Sequence, residues 1–408
     1  MSPSPDPFQP LQLGPLTLRN RFVKAAANEG MTIDGAPTRA LVQHHRALAA
    51  GGVGMSTVAY GAVSDIGRSL PGQLWLRPDI LSDLRVLTDA VHEEGGRVSC
   101  QLTHGGLYVP GMKVKGALMS ACAGFNKVGL LAGNWRSRAM SEDDMARVGS
   151  EFVAAAQICA EAGFDAVELH MGHGYLLNQF LSPLNNRRRD GYGGTAENRA
   201  RFPVSVLAAV KQAVGTRLAV LAKINVSDGV ARGATVDDAI VTARLLERAG
   251  ADLLVLSGGR NAESGAFMFG SNMDVAEMRK VLGRVASLAF RIAQIGAPRV
   301  QFKEMYFLEY SRRIRAAVTV PLGYLGGVSS LANAQAALAE GFDAVVMARP
   351  LIHDPGLVDK LRTGAVAVSG CAHCNRCIPY IYHPAGTWCV FNPPNDPQPN
   401  RVRAAQRG

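Results

Sequence analysis

The sequence predicts an α/β protein: a closed (β/α)8 barrel followed by a short C-terminal extension that carries cysteines. Three observations predict it. Short apolar runs alternate with longer amphipathic segments through most of the 408 residues, the order expected of a parallel sheet covered by helices. Eight such runs are present, and eight units favour a closed barrel over an open sheet. A helix–glycine–strand unit also recurs three times, as EAGFDAVELH, RAGADLLVLS and AEGFDAVVMA.

In chain order, the predicted strands are Arg21–Ala27, Met55–Ala62, Val98–Leu102, Ala166–Met171, Leu218–Ile224, Leu253–Ser257, Pro321–Leu325 and Ala344–Met347. Each is a mostly apolar run, as a strand buried on both faces requires. Between them, Thr38–Ala50, Ser82–Glu94, Met145–Ala162, Glu197–Val214, Val236–Ala249 and Leu331–Glu340 read as helices; Leu245, Leu246 and Ala249, for example, group on one helix face. Gly163, Gly250 and Gly341 stand between a helix and the next strand, where a left-handed cap favours glycine. Two stretches break the rhythm, Thr103–Met140 after the third strand and Gly258–Phe302 after the sixth. Both follow strand C-termini, the rim where barrel enzymes build their sites, and loops this long are usually functional. From about Leu361 the rhythm ends. The expected division is therefore a barrel over residues 1–360 and an extension over 361–408, with Asn392–Gly408 frayed.

Composition narrows the class. With 48% hydrophobic and 19% charged residues, the chain can bury a sizeable core, which excludes a disordered protein, a coiled coil and a collagen-like repeat. The net charge is +10, but its densest runs, Arg187–Arg189 and Arg312–Arg315, sit within ordinary globular sequence. That pattern reads as solvated surface with some attraction for anionic ligands, so neither nucleic acid nor membrane is the expected partner. No apolar stretch reaches the roughly 18–20 residues of a membrane span, and the N-terminus lacks a signal core, so the expected compartment is the cytoplasm. A homo-oligomer is left open.

The most informative segment is AVELHMGHGYLLNQFLSPLNNRRRDGYGGTAENRARF, from the fourth predicted strand. His170 and His173 would point to opposite faces of a continuous strand. They converge only if the chain turns just after His170, and Gly172 and Gly174 permit that turn. Two imidazoles side by side can hold one oxygen, and the phenol of Tyr175 beside them can supply a proton. A metal reading of the His pair finds no Asp or Glu placed to complete a ligand set.

This run resembles the Old Yellow Enzyme family of FMN-dependent ene-reductases and NADH:flavin oxidoreductases. The likeness covers about Leu11 to Leu357, through LRNRFVKAAANEG, GRVSCQLTHGG, the segment above, YLGGVSSLANA and AVVMARPLIHDPG in the family's order. It implies a (β/α)8 barrel, FMN as cofactor and NAD(P)H as reductant. It further implies that His170 and His173 bind the activating carbonyl oxygen of a small-molecule alkene, and that Tyr175 protonates the carbon next to that carbonyl. Gln101 matches the glutamine at the flavin pyrimidine edge, and Lys223 the family's cation near flavin N1 and O2. Gly326, Gly327, Ala348 and Arg349 stand where the flavin phosphate is held, the position after strands seven and eight that barrels commonly use. Ala26 and Ala62 would border the flavin. Asn28 replaces the Thr or Cys found near flavin O4 in most relatives, which places the flavin potential and the substrate fit in question.

The seven cysteines are unevenly spread: Cys100, Cys122 and Cys159 are dispersed, whereas Cys371, Cys374, Cys377 and Cys389 crowd together. In a reducing compartment such crowding points to metal or redox chemistry, either a [4Fe–4S] cluster or zinc. The segment resembles the cluster-binding stretch of trimethylamine dehydrogenase and 2,4-dienoyl-CoA reductase, with one spacer different by one residue. The resulting expectation is an oxidoreductase that reduces enones or enoates with NAD(P)H by alternating half-reactions. The alternative is a flavin dehydrogenase of an amine or cyclic ketone that passes electrons through a [4Fe–4S] cluster.

Overall fold

The structure, a computed structural model, describes residues 5–110, 112–114, 116–293, 300–393 and 402. Eight parallel strands close into a barrel in the order β4-β5-β6-β7-β8-β1-β2-β3. They are β1 Phe22–Lys24, β2 Met55–Ala62, β3 Arg97–Thr103, β4 Ala166–Met171, β5 Ala219–Asn225, β6 Leu253–Ser257, β7 Leu322–Leu325 and β8 Ala344–Met347. All eight predicted strands are present. β1 is shorter than expected because Ala25 to Asn28 leave the ladder to form part of a cavity wall.

The six predicted helices are observed as Arg39–Ala50, Leu81–Glu93, Glu142–Glu161, Ala196–Val214, Val236–Arg248 and Leu331–Ala339. Glu142–Glu161 starts three residues earlier than expected because Ser141 and Asp144 form a reciprocal capping box. Leu308–Arg315 fills the place between β6 and β7 that the sequence reading leaves without a helix. Its arginines face outward to Glu309, Glu340, Asp237 and Asp343, while Ser311 and Ile314 are buried. No helix among the described residues is long and apolar enough to cross a membrane.

Alternation along the strands separates two cores. Val167, Leu169 and Met171 of β4, with Val220, Ala222 and Ile224 of β5, point outward to the helices. Ala166, Ala219, Leu221, Leu253, Val255, Ala344 and Val346 point into the barrel. A hairpin of Leu11–Leu13 and Leu16–Leu18 packs its four leucines against this inner set and plugs the lower end. Continuing upward by two residues on the same inner face leads to Gln101, Glu168, His170, Lys223 and Ser257, all buried. The barrel is thus apolar below and polar at its C-terminal rim.

The long segments carry structure of their own. After β3, Leu118–Ser120, Gly124–Phe125 and Arg136–Ala139 form a small three-stranded sheet. After β6 come the helix Gly265–Phe269 and the helical segment Val275–Ala293, which is broken by a kink at Gly283, φ +81°. The division expected at residue 361 falls inside the helix Leu357–Thr363, whose Leu361 is buried in the outer core. Of the expected frayed tail, residues 394–401 and 403–408 lie outside the described residues.

Candidate active site at the barrel rim

β4 ends at Met171, and the chain then turns with His173 at φ +58° and Gly174 at φ +84°. Gly172 is required there, since a Cβ would stand 2.6 Å from Asn225 Oδ1. That same oxygen accepts from the His173 amide at 3.2 Å, and Asn261 Nδ2 donates to the His173 carbonyl at 2.9 Å. The turn swings the two imidazoles together, with ring centroids 4.9 Å apart and the rings nearly perpendicular. Tyr175 joins them, its ring 4.7 Å from that of His170. The three residues predicted to act together are brought together.

Electrostatics sets their protonation. Burial, with Lys223 nearby, lowers His173 to about 3 and pushes His170 well below the ordinary imidazole range. Both rings are neutral at pH 7, and each then carries one N–H. His173 Nε2 shares a 2.8 Å hydrogen bond with Ser257 Oγ. His170 Nδ1 is buried and has no partner among the described residues. Burial also raises Tyr175 far above its usual phenol value, so it keeps its proton. Its hydroxyl donates to that of Tyr60 at 2.6 Å, and Tyr108 packs edge-on at 5.5 Å.

These groups line a cavity that opens at the barrel rim. Ala26, Asn28, Gln101, Lys223, Gly327, Ala348 and Arg349 line it as well. Two expected residues do not. Ala62 spends its N–H on Leu74 and its C=O on Leu76, and Tyr60, two residues earlier on β2, takes the place at the wall. Gly326 lies behind the wall, where its carbonyl accepts from the Tyr324 hydroxyl and a Cβ would strike Phe307.

Lys223 and Gln101 are coupled through a residue the sequence reading leaves aside. Glu168 Oε1 lies 2.9 Å from Lys223 Nζ and accepts from Gln101 Nε2 at 2.7 Å. Lys223 is therefore half of a buried ion pair, and its ammonium also donates to the Ala26 carbonyl at 3.4 Å. The signal was present in the strand alternation, because Glu168 precedes His170 by two residues and must share its face. Asn28 folds back locally, accepting from the Gly30 amide at 3.0 Å and reaching the Tyr60 hydroxyl at 3.5 Å.

The extension closes the cavity. Cys377, Ile378, Ile381, Tyr382 and Thr387 contribute to its wall. Thr387 donates from its amide to Glu29 O at 2.6 Å and from its hydroxyl to Asn28 O at 2.9 Å, which ties the extension to the segment after β1. Arg349, at the start of the short helix after β8, lines this cavity and also a smaller one bordered by Cys371, Cys374, Cys377 and Cys389. It donates to Asn375 Oδ1 and, at 2.8 Å, to Phe269 O. All four thiols are free, and no three of them lie within 4.8 Å of one another.

The donor set fits FMN. Among the lining residues two carry positive charge, Lys223 and Arg349, and none is a carboxylate. Gln101, Lys223, Gly327 and Arg349 share the wall with the apolar side chains of Ala25, Leu325, Val346 and Met347. A planar, anionic, amphipathic ligand matches that distribution, and the unpartnered His170 nitrogen calls for a ligand above it.

Comparison with known proteins agrees with this site. Residues 6–265 match the NADH:flavin oxidoreductase / NADH oxidase family. A 4,4'-dithiodibutanoate disulfide reductase from Rhodococcus erythropolis is 40% identical over 395 residues, covering 95% of this chain and 96% of the relative. Among solved structures, a 2-naphthoyl-CoA reductase superimposes with a TM-score of 0.80 at 24% identity over 95% of this chain and 57% of that one. The Old Yellow Enzyme homologue from Zymomonas mobilis gives 0.68 at 24% identity over 90% and 94% of the two chains. The chain thus spans little more than half of the first of these structures and nearly all of the second, and both likenesses concern the fold. The chain belongs to the NADH:flavin oxidoreductase family and is an FMN- and NAD(P)H-dependent oxidoreductase on a (β/α)8 barrel.

Proposed function

We propose that the chain reduces activated C=C bonds, in enones or enoates, with NAD(P)H as the electron source. The observation that carries this reading is the corner formed by two neutral imidazoles and a protonated phenol, His170, His173 and Tyr175. FMN, when bound, supplies two-electron hydride chemistry between the nicotinamide and the alkene. The imidazole N–H groups hold the carbonyl oxygen and stabilise negative charge that grows on it during reduction. Tyr175, within ring contact of His170, donates the proton that completes addition across the double bond. Gln101 and Lys223, fixed by Glu168, would hold the pyrimidine end of the flavin, and Gly327 and Arg349 its phosphate. Cys371, Cys374, Cys377 and Cys389 would hold a [4Fe–4S] cluster beside it.

The test is an anaerobic half-reaction. Protein reduced with NAD(P)H is mixed with cyclohexenone, and return of the oxidised flavin spectrum is followed with product analysis. The expected result is saturated ketone formed in step with reoxidation. No reoxidation by any enone or enoate would overturn the reading.

A second reading draws on the Rhodococcus relative: reduction of an organic disulfide whose ends are carboxylates. Two electrons cleave the S–S bond, and two protons complete the two thiols, with Tyr175 placed to protonate one thiolate. Reoxidation by such a disulfide much faster than by any enone would favour it. The remaining alternative is oxidation of an amine or cyclic ketone, with electrons leaving through the cluster; substrate-driven reduction of the flavin without NAD(P)H would favour it.

A further inference from the structure

His373 stands between Cys371 and Cys374 and lines the main cavity together with Arg349 and Gly327. Its ring stacks face to face on Phe302, with centroids 3.7 Å apart and planes 6° from parallel. The guanidinium of Arg349 lies 5.8 Å from that same Phe302 ring. The backbone of His373 is left-handed at φ +51°, a conformation that a residue with a Cβ adopts only where its surroundings hold it. Those surroundings are specific. Ser271 Oγ donates to the His373 carbonyl at 3.1 Å, and Asn375 Nδ2 donates to Ser271 O at 2.9 Å. Asn375 in turn accepts from Arg349. Yet His373 Nδ1 is buried and has no hydrogen-bond partner among the described residues.

A buried ring nitrogen without a partner is costly, and His373 lines the cavity, so a ligand bound there can supply the partner. We infer that His373 is a contact for the phosphate of FMN, its Nδ1–H donating to a phosphate oxygen beside the guanidinium of Arg349. The cysteine loop then holds the flavin as well as the thiols. This inference rests on the reading of Arg349 and Gly327 as the phosphate end of the site. The signal at sequence level is a histidine inside a Cys-x-x-Cys spacer.

The experiment compares FMN with riboflavin, which lacks the phosphate, by fluorescence titration of the full-length chain. His373→Gly suits the left-handed backbone and removes only the side chain. It is expected to weaken FMN binding about tenfold, the worth of one hydrogen bond to a charged group, and to leave riboflavin binding unchanged. His373→Asn tolerates the same backbone, keeps a donor and is expected to recover most of the FMN affinity. Arg349→Ala reports on the underlying reading. If it has no phosphate-selective effect, the phosphate end lies elsewhere and both readings fall. If it does and His373→Gly does not, only the role of His373 is overturned. Equal weakening of FMN and riboflavin in His373→Gly, failure of His373→Asn to restore affinity, or weakening seen only where bound iron is also lost would each overturn the direct contact.

Discussion

The hydroxyl of Tyr175 donates to that of Tyr60 across 2.6 Å, and both phenols are buried. At rest Tyr60 therefore accepts the hydrogen bond that Tyr175 would give to a ligand, and its own hydroxyl lies 3.5 Å from that of Ser69. Once Tyr175 is deprotonated, rotation of the Tyr60 hydroxyl supplies a hydrogen bond to the new phenolate. Burial alone would leave that anion poorly stabilised. Tyr175→Phe is expected to slow flavin reoxidation by an enone by roughly 10²–10⁴-fold, with reduction by NAD(P)H little changed. Tyr60→Phe should slow the same half-reaction about tenfold, as loss of one charge-assisted hydrogen bond implies. Stopped-flow absorbance separates the two half-reactions. An unchanged reoxidation rate in Tyr175→Phe removes it as the acid.

Stability should depend on pH through buried imidazoles. Burial lowers His104 to about 4 and, with neighbouring cations added, His44 and His173 to about 3. The unfolded chain protonates these groups near 6.5, so below that pH it binds protons the native state refuses. Their contribution is complete above about pH 6.5 and drains as pH falls, steadily down to about 4. Each adds a slope of about 1.4 kcal/mol per pH unit at most. Urea midpoints of the FMN-free protein at pH 7, 6 and 5 should fall in that order. A midpoint flat across this range contradicts the assignment of buried, neutral rings.

The ion pair of Lys24 and Glu29 is buried and lies outside the proposed chemistry. Burial would raise the Glu29 carboxyl, but Lys24 and His45 beside it outweigh burial and hold it at about 2. Its other oxygen accepts from the Ala59 amide at 2.9 Å, next to Tyr60. Glu29→Gln leaves an unpaired ammonium and is expected to cost about 3–5 kcal/mol. Adding Lys24→Met should recover much of the loss, because the uncompensated charge is then gone. Chemical denaturation of the wild type and both variants provides the check; a harmless single variant would show that Lys24 finds another partner.

The thiol ring predicts its own contents. Protein purified without oxygen should carry about four iron and four sulfide per chain, as a [4Fe–4S] cluster requires. Cys377→Ser should lower both together, since this thiol borders both cavities. Stoichiometric zinc with no iron would contradict the assignment of a cluster to these four thiols.

The strands were readable in the sequence because apolar runs and glycine caps are local signals. β2, β4, β6 and β8 have the bounds their sequences predict. The leucine hairpin is a local signal as well, an alternation around Gly14, but its place as a plug depends on contacts far along the chain. Leu308–Arg315 reads as a charge run because its buried face is only Ser311 and Ile314. At the site, His170, His173 and Tyr175 were legible because glycines mark the turn between them. Tyr60 was not, since an aromatic in the middle of an apolar strand reads as core. Ala62 was misplaced on the same strand by a two-residue step that keeps it on the expected face. Nor can spacing reveal that Thr387 reaches Asn28 across almost the whole chain.

That last contact bears on the order of assembly. Translation releases every barrel strand before the segment that roofs the cavity. The inner leucine core can form as soon as β8 emerges, yet the wall made by Cys377, Ile381, Tyr382 and Thr387 is still missing. Cofactor capture is thereby deferred until that segment has been made. A nascent chain stalled after β8 should fold its barrel and hold flavin only loosely, and a few dozen further residues convert an open basin into a retained prosthetic site.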